Sequence, residues 1–208
     1  MLKKGLFLAI LMFIVPVAAE VKVLAFAGST RKDSYNKKLV QEAAEMARQK
    51  GAKVTVIDLI DYPMPFYDAD LEVKQGLPTQ AKKLRELMIA SDAIIIATPE
   101  YNASISAVLK NVLDWTSRGE KAEYSPDAYK GKKFAIMSAS PGKGGGARAL
   151  SHLRTIIEGI GGSVIKNEVA VPDAYKAFDA KGNLVSPILK EKLQEEVQQL
   201  IQAVSKST

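Results

Sequence analysis

A chain of 208 residues, 47% hydrophobic and 25% charged, is long enough for an α/β domain with its own core and has the polarity of an ordinary globular protein. Its 29 Lys and Arg against 23 Asp and Glu leave a net charge of +6 without any basic block. That predicts no nucleic-acid partner and supports only a weak attraction for small anions. The lack of cysteine excludes disulfides, thiolate catalysis and cysteine-ligated metals, and a lone His152 argues against a histidine metal site or triad. His152 is expected to pack or face water without a chemical role.

Lys3 and Lys4 precede an apolar run over residues 5–19 that ends in the small residues Val17, Ala18 and Ala19. This layout predicts a secretory signal peptide over 1–19 and a folded domain over 20–208. The run is short for a spanning helix and contains Pro16. A cleaved leader implies export, periplasmic or secreted. The alternatives are an uncleaved membrane anchor or a cytoplasmic protein whose start is misassigned, with Met12 as a candidate.

Residues 21–27 are apolar at nearly every position and read as a strand buried on both faces. Ser34 can cap a helix in which Leu39, Val40, Ala43, Ala44 and Ala47 recur at helical spacing up to Gly51. Residues 53–59 form a second strand. Residues 61–78, with several prolines and Tyr62, Phe66 and Tyr67, read as a long functional loop. A helix over 79–90, an all-apolar strand over 93–97 and a helix over 104–115 follow. A fourth strand over 133–138, a glycine-rich loop over 140–146 and a helix from 147 to about 160 come next. A fifth strand over 163–169 and a helix over 186–204 capped by Ser186 and Pro187 close the chain. Alternating strands and helices imply a doubly wound five-stranded parallel sheet of order 2-1-3-4-5. Such a sheet binds ligands beyond the carboxyl ends of its strands, where the loops after strands one, three and four meet.

Those three loops have unusual composition. In the first, Ser29, Arg31, Ser34 and Asn36 offer short polar groups and one guanidinium beside a helix N-terminus, a setting for phosphate. The loop lacks the glycine pattern of a dinucleotide site and the Gly-Lys-Ser/Thr of a triphosphatase, so a terminal monophosphate fits it better. An ordinary strand-to-helix turn accounts for the same residues. The second loop carries Pro99, Glu100, Tyr101 and Asn102, able to edge a planar heterocycle or simply to turn into a helix. The third, with Ser140, Gly142, Lys143, Gly144, Gly145 and Gly146, permits close backbone approach to a ligand or serves as a flexible surface loop. Arg148 beyond it has two readings, contact with a cofactor or pairing with an acid of a neighbouring subunit. Asp58 after the second strand is discounted as a ribose ligand because the glycine fingerprint is missing.

The run Gly-Ser-x-Arg-x-x-Ser-x-Asn from Gly28, then Pro99 to Asn102 with Leu109-Lys110-Asn111 and Asp114-Trp115, then Ser140-Pro141-Gly142 through Gly145, Gly146 and Arg148, resembles the NADPH-dependent FMN reductase family. The likeness runs from about residue 21 to 204. It implies a flavodoxin-like fold, non-covalent FMN, and NADPH or NADH as a substrate. Its quinone, free flavin, azo-dye or similar acceptor would be reduced by ping-pong hydride transfer. Ser29, Arg31, Ser34 and Asn36 would hold the phosphate. Pro99, Glu100, Tyr101 and Asn102 would border the ring, and Ser140, Gly142 and Gly145 would approach its other edge. No protein group need be catalytic and no metal is implied. A homodimer or homotetramer is expected, with no membrane contact except through an uncleaved leader. Arg31, Lys143 and Arg148 are candidates for the phosphates of NADPH, and the 62–67 loop, of the same or a partner subunit, for the acceptor wall. The alternative is an FMN electron carrier without its own NAD(P)H oxidation. Two positions depart from the family: Ala103 stands where it often has Gly, and Ser106 where it often has Pro. A leader is also atypical, and the flavin would then have to be acquired after export.

Overall fold

The computed structural model describes residues 20–205; the expected leader lies outside them. The elements in chain order are β1 (Lys22–Ala27), α1 (Tyr35–Gln49), β2 (Lys53–Ile57), a 3-10 turn (Leu59–Asp61), α2 (Ala69–Gln75), α3 (Thr79–Ile89), β3 (Ala93–Ala97) and α4 (Ala107–Thr116). They continue with a second 3-10 turn (Pro126–Ala128), β4 (Lys133–Ala139), α5 (Ala147–Gly159), β5 (Ser163–Val164), β6 (Val169–Val171), α6 (Ala174–Ala177) and α7 (Pro187–Ser205). The sheet is parallel, in the order β2-β1-β3-β4-β5, with β6 also on β4. The expected doubly wound order is therefore the observed one.

Alternate residues of the central strands feed two cores. Val23, Ala25 and Ala27 of β1 face α1 and α7, whereas Leu24 and Phe26 face α3, α4 and α5. The first seam is built from small residues: Ala25, Ala97 and Ala135 meet Ala43, Ala44 and Ala47. Small side chains on both surfaces let α1 lie close against β1, β3 and β4. Its N-terminus therefore ends directly beyond their carboxyl ends, where the dipole of α1 is positive.

Three expectations change. The fifth strand is broken into β5 and β6: the Ile165 N–H still donates to the Phe134 carbonyl (2.9 Å), but residues 166–168 leave the ladder. Arg154 of α5 donates to the carbonyls of Val164 (3.3 Å) and Ile165 (2.7 Å) and to Glu168 (2.6 Å), and Gln199 accepts from the Asn167 N–H. These side chains replace the missing ladder bonds. Glu196 of α7 is buried in this region with no hydrogen bond to either oxygen. Burial, and then the Glu168 charge, hold its carboxyl well above the ordinary 4.5, against the opposing pull of the nearby Ile136 and Val169 peptides and Arg154.

The 61–78 segment is not one open loop either. Asp68 accepts from the N–H groups of Asp70 and Leu71 and starts α2. The expected helix start at Ser104 moves to Ala107, because residues 101–104 close a tight turn and Ser106 caps α4 through the Leu109 N–H.

Candidate functional site

The first loop is held from below. The Gly28 N–H donates to Ala97 (2.8 Å), and the Ser106 hydroxyl donates to the Gly28 carbonyl (2.6 Å). A Cβ at Gly28 would lie 2.9 Å from Leu109, so only glycine allows α4 this close. Ser106, at a position where a proline would supply no donor, thus ties the first loop to the second. Ser34 occupies the N-cap of α1 with extended backbone, and its carbonyl accepts from Lys37 and Lys38. Its hydroxyl makes no cap bond. The N–H groups of Tyr35 and Asn36, at the open end of α1, have no acceptor among the described residues, and the Arg31 guanidinium has no partner there. Ser29 is buried, accepts from the Arg31 N–H (3.3 Å) and keeps its own O–H to donate. Two peptide N–H groups, two hydroxyls and a guanidinium at a helix N-terminus fit a phosphate monoester.

Asn36 does something other than offer its amide. Its Nδ2 donates to the Ala139 carbonyl and its Oδ1 accepts from the Ala139 N–H, each at 2.9 Å. The side chain welds the start of α1 to the end of β4. What remains for a phosphate is its peptide N–H.

The second loop is anchored by α5. Glu100 pairs with Arg148 (2.5 Å) and accepts from the peptide N–H groups of Arg148 and Ala149. Gly146 gives α5 no side-chain cap, so Glu100 supplies one from across the site. Burial pushes the Glu100 carboxyl up, but the Arg148 guanidinium and the two peptide donors outweigh it and hold it below the ordinary 4.5. Arg148 therefore pairs within its own chain. Lys143 likewise pairs with Asp173 (3.2 Å), leaving Arg31 as the unpaired cation of the three.

In the third loop two glycines serve the protein itself. Gly145 and Gly146 have φ of +61° and +91°; a Cβ on the first would lie 2.9 Å from the backbone of Ala170, Val171 and Pro172, and on the second would collide with Ser138. That Ser138 hydroxyl donates to the Thr98 carbonyl (2.6 Å), joining loops two and three. Ser140 is held by Val171 and Ala174 through its backbone, and its hydroxyl accepts from Gly142 (3.4 Å).

Together the loops form a cleft of about 130 Å³. Ser29, Arg31, Ser34 and Asn36 meet Pro99, Glu100 and Tyr101 there, with Ser140 on the far side. Asn102, Gly142 and Gly145 do not line it. A larger groove of about 590 Å³ runs along α1 past Lys38, Gln41 and Glu45 to the turn at Lys181. It is bordered by long charged chains and lacks convergent peptide donors, so its size alone does not make it the site.

The segment after β2 is pinned onto α4. Asn111 accepts from the Tyr67 N–H (2.7 Å) and, with Trp115, donates to the Pro65 carbonyl (2.9 and 2.8 Å). The Tyr67 ring meets Trp115 edge-on at 5.0 Å, and its hydroxyl donates to Glu72. Glu72, 1% exposed, also accepts from Arg118 Nε at 2.9 and 3.0 Å. Burial and the Glu72 carboxylate raise the Tyr67 hydroxyl above its ordinary 10.0. The Asn111 and Trp115 of the sequence motif are therefore anchors, and Phe66, between the anchored Pro65 and Tyr67, is left 80% exposed. Asp58 pairs with Lys37 and caps the 3-10 turn through the Ile60 N–H. Among the described residues no three His, Cys, Asp or Glu converge as metal ligands, and no helix is long and apolar enough to cross a membrane.

His152 is exposed on α5, as expected, with its Nδ1 3.0 Å from the Ser104 hydroxyl; sequence reasoning missed the helix-capping use of Glu100. The signal for Glu100 was a glycine-led helix start without an N-cap of its own.

Comparison with known proteins gives a consistent picture. The family described as NADPH-dependent FMN reductase matches residues 21–176. An NAD(P)H-dependent FMN reductase of Pseudomonas aeruginosa is 37% identical over 182 residues, covering 87% of this chain and 94% of that protein. An NADPH:quinone oxidoreductase of Arabidopsis thaliana is 36% identical over 180 residues, with 84% and 87% covered. Among solved structures, the flavoenzyme NAD(P)H:(acceptor) oxidoreductase FerB of Paracoccus denitrificans superposes with a TM-score of 0.76 at 28% identity, covering 89% of this chain and 98% of that one.

Proposed function

This chain belongs to the NADPH-dependent FMN reductase family, and from that premise we propose how its site works. It is an FMN-dependent NAD(P)H oxidoreductase that acts on quinones. The observation that carries the assignment to this cleft is the set of unspent donors at the start of α1: the Tyr35 and Asn36 N–H groups, the Ser34 hydroxyl and the Arg31 guanidinium. When bound, FMN supplies hydride acceptance from the nicotinamide and electron donation to the acceptor. The protein binds and orients. Arg31 and the α1 dipole neutralise the phosphate, Asn36 holds that helix start in register with β4, and Glu100 and Ser138 keep loops two and three together. No side chain need move a proton in the hydride step.

Three finer points are part of the proposal. Nicotinamide and acceptor use one open face in turn, so kinetics are ping-pong. The rigid 62–67 segment with exposed Phe66 borders the acceptor, either in the same chain or across a homodimer or homotetramer interface; the exposed ring supports both. The leader directs export, supported by Lys3, Lys4 and the small residues at 17–19.

The test is NADPH and NADH oxidation by the purified yellow protein with menadione or free FMN. Parallel double-reciprocal lines support the ping-pong order. A flavin-loaded protein that oxidises neither nicotinamide ends the enzyme assignment. N-terminal sequencing of the mature protein tests export, and sedimentation tests the oligomer.

A further inference from the structure

Helix α5 touches the second loop at two points one helical turn apart. Arg148 and His152 are four residues apart and share a face. Arg148 grips Glu100 on one side of the Tyr101–Ser104 turn through Nε (2.9 Å) and NH2 (2.5 Å). His152 Nδ1 shares a hydrogen bond of 3.0 Å with the Ser104 hydroxyl on the other side. Between these anchors Tyr101 and Ser104 exchange both backbone hydrogen bonds, at 2.9 and 3.0 Å. The two residues inside the turn are both left-handed, Asn102 at φ 49° and Ala103 at φ 66°. Asn visits that region readily, whereas Ala pays a steric penalty there, and a two-residue turn of this kind strongly prefers Gly second. Strain of this sort persists where the surroundings over-determine it, and such places cluster at ligand clamps. Here the turn adjoins the cleft, half-exposed Tyr101 lines it, and the Asn102 and Ala103 N–H groups have no acceptor among the described residues.

We propose that His152 is a positioning residue. With Arg148 it clamps the Tyr101–Ser104 turn in its strained form, and so presents the turn preformed to the flavin. The inference rests on the FMN assignment above. Without the clamp, the turn relaxes away from the left-handed Ala103, and FMN must then restore it at the expense of affinity.

The experiment compares the wild type with His152→Ala, His152→Asn, Ala103→Gly and the His152→Ala/Ala103→Gly double variant. FMN affinity is read by quenching of flavin fluorescence on protein stripped of flavin. Amide hydrogen exchange of the 99–105 segment is followed in the same flavin-free protein. His152→Ala is expected to weaken FMN about five- to tenfold and to speed exchange in that segment. His152→Asn, which keeps a polar atom near the Nδ1 position, restores both to within about twofold. In the Ala103→Gly background the loss from His152→Ala falls below about twofold, since Gly holds the turn unaided. Equal losses in both backgrounds, or unchanged exchange in His152→Ala, overturn the clamp. A wild-type protein that takes up no FMN overturns the functional assignment instead, and the exchange data still decide whether the clamp exists.

Discussion

Arg118→Met tests the anchoring of the segment that carries Phe66. The substitution keeps much of the side-chain volume and leaves the Glu72 carboxylate, 1% exposed, with the Tyr67 hydroxyl as its remaining donor. Breaking a fully buried ion pair from one side costs about 3–5 kcal/mol. Arg118 itself keeps 23% of its side-chain exposure, so water shares in the pair and the low end, about 3 kcal/mol, applies. For a domain of this size each kcal/mol moves Tm by about 2–4 °C, giving a drop of roughly 6–12 °C. The double change Glu72→Leu/Arg118→Met removes both charges and recovers most of the loss. Urea and thermal unfolding of flavin-free protein measure the cycle. The anchored loop lies away from the phosphate donors, so Arg118→Met should raise KM for a quinone while FMN affinity holds. A loss below about 1 kcal/mol, or a double variant as unstable as the single, refutes the idea that this buried pair holds the loop.

Arg31→Ala combined with Ser34→Ala should weaken FMN by about 2–3 kcal/mol, roughly 30- to 150-fold, in a fluorescence titration, with little change in urea midpoint. Asn36→Ala should instead lower stability by about 2–4 kcal/mol, because it strips both partners from the buried Ala139 peptide groups. Glu100 titrates below its ordinary 4.5 in the folded protein, so it stabilises above that value and the benefit is lost as pH falls through the lower folded value. The urea-midpoint gap between wild type and Glu100→Gln should therefore close as pH falls below 4.5 through the lowered folded value. Glu196 has the opposite sign. Its folded value lies well above 4.5, so the folded protein keeps a proton that the unfolded chain has released, and stability falls as pH rises above 4.5. Glu196→Gln should flatten the decline of urea midpoint as pH rises above 4.5; an unchanged slope rejects the raised buried acid.

Much of the fold was legible because its signals are local. Unbroken apolar runs such as 93–97 mark central strands, and the Leu39, Val40, Ala43, Ala44, Ala47 spacing marks α1, whatever lies elsewhere in the chain. Loop composition after β1, β3 and β4 singled out the end of the sheet where Ser29, Arg31, Ser34, Glu100, Tyr101 and Ser140 line one cleft, and the proposed phosphate donors all lie within a single loop and helix start. The rest depended on partners far apart in sequence. Whether the Asn36 amide is free or spent is decided by Ala139, and the role of Glu100 by Arg148 and Ala149. The break in the fifth strand depends on Arg154 reaching carbonyls on the next segment, and the left-handed Ala103 on a helix that arrives dozens of residues later. Periodicity encodes which surface of an element turns inward. It carries no record of which of several hydrogen-bonding groups will meet across a loop crossing, and that choice was made by the packing of α1 and α5 against the sheet.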